Sequence, residues 1–157
     1  MKNDTEVLDD FDLAILRILQ KDNTLPHRLI GEQVNLSAPS VQRRIKRLEA
    51  EGIITMQSAI ADPARLGRPL TIVVEVELKA ETGGAIDVVK QSFADAPEVQ
   101  QCYYVTGESD FILIILVRDM AEYEALTDRL GFSNDTIRKF KTFVTMDRTK
   151  VSLSVNI

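Results

Sequence analysis

Four cations crowd five consecutive positions, Arg43, Arg44, Lys46 and Arg47, and Ser40 and Gln42 stand just ahead of them. A guanidinium fork matches a guanine edge or a phosphate, a glutamine amide matches adenine, and a serine hydroxyl can donate to phosphate or base. Arg44 follows Val41 by three, so it stands either against a nucleic acid or at the edge of a core, bonding a neighbouring helix. Charge runs on helices are commonly solvated faces. This one runs against its own background, because the chain carries a formal net charge of −5 at pH 7. A compact positive surface in an acidic chain is suited to the edge of double-stranded DNA and argues against general polyanion binding.

The rod that carries these residues is the stretch LSAPSVQRRIKRLEAEGII, Leu36 to Ile54. Val41, Ile45 and Leu48 fall on one helical face, Ser37 is the N-cap, Pro39 sits in the first turn, and Gly52 closes the helix. Upstream, Asp9 caps a helix expected to run to about Lys21. Phe11, Ala14, Ile15, Ile18 and Leu19 form its apolar stripe, and Leu13 and Leu16 widen it. Asp9, Asp10 and Asp12 gather where the helix dipole favours negative charge. A second helix runs from near Pro26 to Val34, burying Leu29, Ile30 and Val34. Gly31 in its interior costs about 1 kcal/mol relative to alanine, and the expected return is close backbone approach between helices. Asn35 tolerates the left-handed conformation that ends this helix. Three short helices over residues 8–52, the last one basic, have the layout of a helix-turn-helix.

Beyond it, Ile54 to Ser58 alternates as a short strand that needs a partner, and a second copy of itself is the natural one. Asp62-Pro63 and Gly67-Arg68-Pro69 are breakers. The boundaries expected are 1–53 for the helix-turn-helix, 54–69 for a linker strand and turn, and 70–157 for a second domain. Ile72, Val74, Val76 and Leu78 alternate with Thr71, Val73, Glu75 and Glu77, a half-buried strand. A helix follows from Gly83-Gly84 to Ala94, then strands Val99 to Val105 and Phe111 to Val117, a helix Ala121 to Leu130, and a strand Ile137 to Met146. Val151, Leu153, Val155 and Ile157 alternate as a fifth strand. The order β-α-β-β-α-β predicts an α+β fold, a ferredoxin-like sandwich behind a winged-helix-like N-terminal domain. Phe111 to Val117 is apolar on both faces, so helices should cover one side and another subunit the other. On spacing alone, Gly107-Glu108-Ser109-Asp110 is a hairpin turn between two strands.

Composition narrows the classes. At 157 residues, 45% hydrophobic and 27% charged, the chain is globular. One cysteine, Cys102, and one histidine, His27, exclude an intrachain disulfide and make histidine-based metal or triad chemistry improbable. Cys102 reads as a small buried hydrophobe, His27 as a surface residue or phosphate contact, and Tyr103 and Tyr104 as one core and one interface residue. No apolar run approaches the roughly 20 residues of a membrane span, and MKNDTEVLDD is no signal peptide. A cytoplasmic protein with no catalytic residues, cofactor or metal is therefore expected.

Taken together, LSAPSVQRRIKRLEAEGII, DPARLG, YYVTGESDFILIILVRD and IRKFKTFVTMDRTK resemble the leucine-responsive regulatory protein (Lrp)/AsnC family of transcription regulators, in order and over essentially the whole chain. Gly31 stands where that family usually has alanine, and Asn35 where glycine is usual. The resemblance implies DNA binding through the third helix, with Ser40, Gln42, Arg43, Arg44 and Arg47 as candidate contacts. It implies a C-terminal domain that assembles homo-oligomers, dimers that often associate into octamers, and binds a small effector, usually an amino acid. It turns the hairpin into an effector loop of Gly107, Glu108, Ser109 and Asp110. Exposed N–H groups there would hold a carboxylate and the aspartate an ammonium. Thr142 and Thr145 would add hydroxyls from an adjoining subunit. Three alternatives stay open: a ligand-independent architectural DNA-binding protein, a helix-turn-helix used only for protein contacts, and an enzyme or carrier on the same sandwich. The last finds no general acid/base set, and Gly83-Gly84 lacks the context of a phosphate loop.

Overall fold

The computed structural model describes residues 8–79, 83–132 and 136–157. It divides into two compact units. One comprises the described residues up to Ala59 together with Val151–Ile157, and the other is Ile60–Lys150.

The first unit holds α1 (Asp10–Leu19), α2 (His27–Val34) and α3 (Ala38–Ala50). The starts of α1 and α3 each have a side-chain cap. Asp9 and Asp12 form a reciprocal capping box, Asp12 N donating to Asp9 Oδ1 at 2.8 Å and Asp9 N to Asp12 Oδ2 at 3.2 Å. The Ser37 hydroxyl caps α3 by accepting from Ser40 N. Ile15, Ile30, Val34, Val41 and Ile45 form the shared core, the periodic positions expected. Phe11 does not join it. The buried face of α1 is Asp12, Ile15 and Leu16, about 100° round the helix from Phe11, which is 43% exposed.

Asn35 adopts φ 56°, ψ 43° and closes α2 as a left-handed residue. The close approach at Gly31 is made by the turn, not by another helix. Leu36 N donates to the Gly31 carbonyl at 2.9 Å, and a Cβ at Gly31 would overlap the Leu36 carbonyl oxygen. Among the described residues, 54–58 form no ladder, as an extended segment without a neighbouring strand must. Nor is 151–157 a fifth strand. Alternation fixes which side chains share a face, not which edge will accept the backbone. Here side chains of α1 take it: Val155 N donates to Gln20 Oε1 at 2.6 Å, Gln20 Nε2 to Val155 O at 3.0 Å, and Arg17 Nε to Ile157 O at 2.7 Å.

The second unit is β1 (Leu70–Leu78), α4 (Gly83–Asp95), β2 (Val99–Tyr104), β3 (Phe111–Val117), α5 (Met120–Arg129) and β4 (Ile137–Val144). The sheet is antiparallel in the order β2-β3-β1-β4. Ile72, Val74, Val76, Phe111, Leu113, Ile115 and Val117 are wholly buried on the helix-covered face. Phe93 of α4 meets Phe111 edge-on, centroids 5.4 Å apart. Ile112, Ile114 and Leu116 lie on the other face, half-buried. Because β2 is an edge strand, neither tyrosine is core: Tyr103 and Tyr104 are both 50% exposed. Cys102 packs partly against the main core, where burial pushes its thiol up from the ordinary value. Among the described residues, no helix is long and apolar enough to cross a membrane.

Candidate nucleic-acid interface and effector loop

The basic helix has two differently used sides. Val41, Ile45 and Leu48 are the buried face, so Gln42, Arg43 and Lys46 point away from it and are exposed. Arg43 and Lys46 make no ion pair among the described residues. Ser40 lies at the start of the helix, its hydroxyl 3.0 Å from that of Ser37.

The flank carrying Arg44 and Arg47 turns instead to α1. Arg44 Nη1 donates to Asp12 Oδ1 and to Asp9 Oδ2, both at 2.8 Å, and Arg47 Nη2 donates to Asp12 Oδ2 at 2.5 Å. Glu51 lies 3.8 Å from Arg47 Nε. The Arg44 guanidinium also covers the Phe11 ring at 5.4 Å, which is what Phe11 does in place of joining the core. Asp12 is 1% exposed. Hydrogen bonds from Arg44 first to Asp12 and then to Asp9 raise the Arg44 pKa. The Asp12 backbone N–H, followed by Arg44, lowers that of Asp9. Of the two arrangements open for Arg44, the protein adopts the helix-bonding one. Sequence reasoning placed Asp12 only at the helix dipole, with Asp9 and Asp10, and missed its pairing with Arg44 and Arg47, although its spacing of three from Asp9 already allowed the capping box that aims both carboxylates.

In the second unit the loop of Gly107 to Asp110 joins β2 to β3. Gly107 has φ 129°, a backbone conformation that L side chains rarely adopt. Asp110 is tied into the sheet: its N–H donates to Val76 O at 2.8 Å, and its Oδ2 accepts from Leu78 N at 2.7 Å. Glu108 projects freely, and the Ser109 hydroxyl lies 3.5 Å from Glu75 Oε2. Glu108 and Ser109 line a shallow polar depression with Glu75, Glu77, Lys139, Phe140 and Lys141. Lys141 pairs with Glu75 at 3.3 Å.

Thr142 and Thr145 are not gathered to this loop within one chain. Thr142 stands opposite Val74 on the helix-covered face, its hydroxyl 2.6 Å from that of Tyr123, and burial raises the pKa of that phenol. Thr145 donates through N and Oγ1 to the Thr71 carbonyl at 3.0 and 2.9 Å. Thr71 and Val76 are five residues apart on β1, roughly 17 Å along a strand.

A helix-turn-helix joined to a βαββαβ sandwich with a glycine loop at one strand end defines a class, the regulator that carries its DNA-binding and ligand-binding parts in one chain. Residues 8–55 match a winged helix-turn-helix DNA-binding family, and residues 71–155 match the Lrp/AsnC ligand binding domain. An HTH-type transcriptional regulator of Sinorhizobium fredii, y4tD, is 41% identical across 99% of this chain and 96% of its own length. The crystal structure of an AsnC family transcriptional regulator from Agrobacterium tumefaciens superposes with a TM-score of 0.89 at 28% identity, covering 95% of this chain and 97% of that one. A transcriptional regulator of Neisseria meningitidis, solved in complex with L-Met, superposes with a TM-score of 0.88 at 26% identity, covering 96% and 97%. The chain belongs to the Lrp/AsnC family of transcription regulators. It is a DNA-binding transcription regulator with a ligand-binding domain, not an enzyme.

Proposed function

We propose that this regulator meets DNA through the exposed front of α3, with Arg43 and Gln42 at the base edges and phosphates and Ser40 at the phosphate nearest the helix start. The observation that carries this reading is the exposure of Gln42, Arg43 and Lys46 on one side of a helix whose other side is core. Arg44 and Arg47, read from the sequence as contacts, stand behind Arg43 as candidates because Asp12 engages both. The effector is an amino acid held at Gly107 to Asp110, N–H groups of the loop taking its carboxylate and the free oxygen of Asp110 its ammonium. Thr142 and Thr145 contribute hydroxyls from another copy.

Assembly is part of the function. Ile112, Ile114 and Leu116 form an apolar band on the uncovered sheet face, flanked by Phe143 and Tyr103, each 50% exposed. That supports a dimer through this face, with octamers as the higher assembly. The work is done in the cytoplasm, by residues 1–53 on DNA and 70–157 on effector and partner copies, with 54–69 between them. The test is a mobility shift on the chain's own upstream DNA, with and without each common amino acid. Arg43→Ala should weaken the shift without altering sedimentation, and Asp110→Ala should abolish the amino-acid response. A shift unchanged by Arg43→Ala would overturn the contact reading, and a thermal-shift screen in which no amino acid responds would overturn the effector reading.

A further inference from the structure

We propose that Asp12 is a positioning residue for DNA recognition, a buried latch that holds Arg44 and Arg47 off the duplex and leaves Arg43 and Lys46 to make the charged contacts. The inference rests on the reading that the front of α3 faces DNA. Its basis is geometric. One carboxylate, 1% exposed, accepts from two guanidiniums on the neighbouring helix at 2.8 and 2.5 Å. The arginines are correspondingly withdrawn, with 21% and 29% of their side chains exposed. The carboxylate itself cannot swing out to follow them, because its other tie is the capping box: Oδ2 also accepts from Asp9 N at 3.2 Å.

Asp9 completes the arrangement by taking a second hydrogen bond from Arg44 at 2.8 Å. Two carboxylates thus offset two guanidiniums, and the flank of α3 presents little net charge to a polyanion. The consequence is discrimination. Each phosphate neutralised by a protein cation adds affinity for any duplex, with no sequence information. Two more mobile arginines beside Arg43 would raise binding to all DNA alike. Held on Asp12, they instead fix the rotation of α3 about its axis, which determines where Gln42 and Arg43 meet the groove.

The salt dependence of binding separates contact from latch, since each phosphate contact contributes about 0.9 to the slope of log K against log salt. The probes are a duplex recovered by the wild-type protein from a random-sequence pool and a scrambled duplex of equal length. Arg44→Met and Arg47→Met keep the apolar stem and lose the charge, and their slopes should equal that of wild type. Asp12→Asn should steepen the slope on the scrambled duplex by about 1 to 2 as the guanidiniums are released, and should narrow the preference for the recovered duplex several-fold. A slope lowered by about 0.9 in either methionine variant would overturn the proposal, as would an Asp12→Asn protein with unchanged slope and preference. Should Asp12→Asn fail to fold, by circular dichroism, the methionine variants decide alone. Arg43→Ala keeps the two readings apart: an unchanged slope there sinks the contact reading, whereas a lowered slope there together with a lowered slope in Arg47→Met sinks only the latch.

Discussion

The two units solve the same problem with different materials. The sheet unit buries seven β-strand side chains completely on one face and adds Phe93, Leu126 and Phe132 from its helical side. Among the described residues the helical unit clusters Ile15, Ile30, Val34, Val41 and Ile45, buries Leu48 as well, and sets beside them a carboxylate shared by two arginines. A small domain has little apolar surface to bury, so polar groups carry part of its specification. The cost is sensitivity. An apolar core tolerates volume-conserving exchange, whereas a buried charge tolerates no loss of its partner. The lesson is that the same chain should answer packing mutations in one half and charge mutations in the other.

The largest effect expected is Phe111→Ala, a wholly buried ring in contact with Phe93. It should cost about 3–5 kcal/mol by denaturant unfolding, and Phe111→Leu far less. Next comes Asp12→Ala, which strands two guanidiniums and should cost about 3 kcal/mol, the low end for a broken buried pair because both arginines keep some water. Replacing Asp12, Arg44 and Arg47 together by apolar residues should recover most of that loss. If the triple replacement unfolds the unit, the charges do more for stability than the comparison allows. A smaller effect, about 1 kcal/mol, is expected for Ser37→Ala at the α3 cap.

Acid provides a further contrast. The Asp12 N–H, with Arg44, holds the Asp9 carboxyl below its ordinary 3.8. A carboxylate depressed in the folded state stabilises fully above its unfolded value, and that contribution fades as pH falls through the folded one. Asp9→Asn should therefore flatten the acid limb of the helical unit below about pH 4, measured by helical circular dichroism. Asp119 and Glu122 are lowered likewise in the sheet unit, first by backbone N–H groups of Glu122 and Arg118, so the two limbs can be compared variant by variant. The smallest effect is Asn35→Gly, expected within a few tenths of a kcal/mol of wild type because φ at Asn35 is 56°; Asn35→Val at the same position should be clearly worse.

What the chain alone disclosed follows the range of the interactions. β1 begins and ends where period two places it and alternates in burial from Ile72 onward, because burial on one face writes itself into adjacent residues; β3, apolar throughout, alternates only in burial. The caps at Asp9 and Ser37 and the left-handed Asn35 were equally legible, being local. Asp12 was not. Three aspartates in a first turn look alike in sequence, and only the arrival of α3, with Arg44 and Arg47 more than thirty residues on, separates the buried one from the rest. Phe11 was misread for the same reason, since its ring partner is Arg44. The 151–157 segment shows the limit of periodicity. Its apolar residues alternate, yet the groups that meet its backbone belong to Arg17 and Gln20, far back in the chain. Of the loop from Gly107 to Asp110, the glycine turn was readable, but that the Asp110 carboxylate accepts from Leu78 N was not.

The central claim is that DNA lies against the front of α3, and photo-crosslinking addresses it most directly. A benzophenone side chain placed at Gln42 should link to duplex DNA under saturating conditions, while the same group at Val88, 70% exposed on the sheet unit, should not. Linking at Val88 with none at Gln42 would contradict the account.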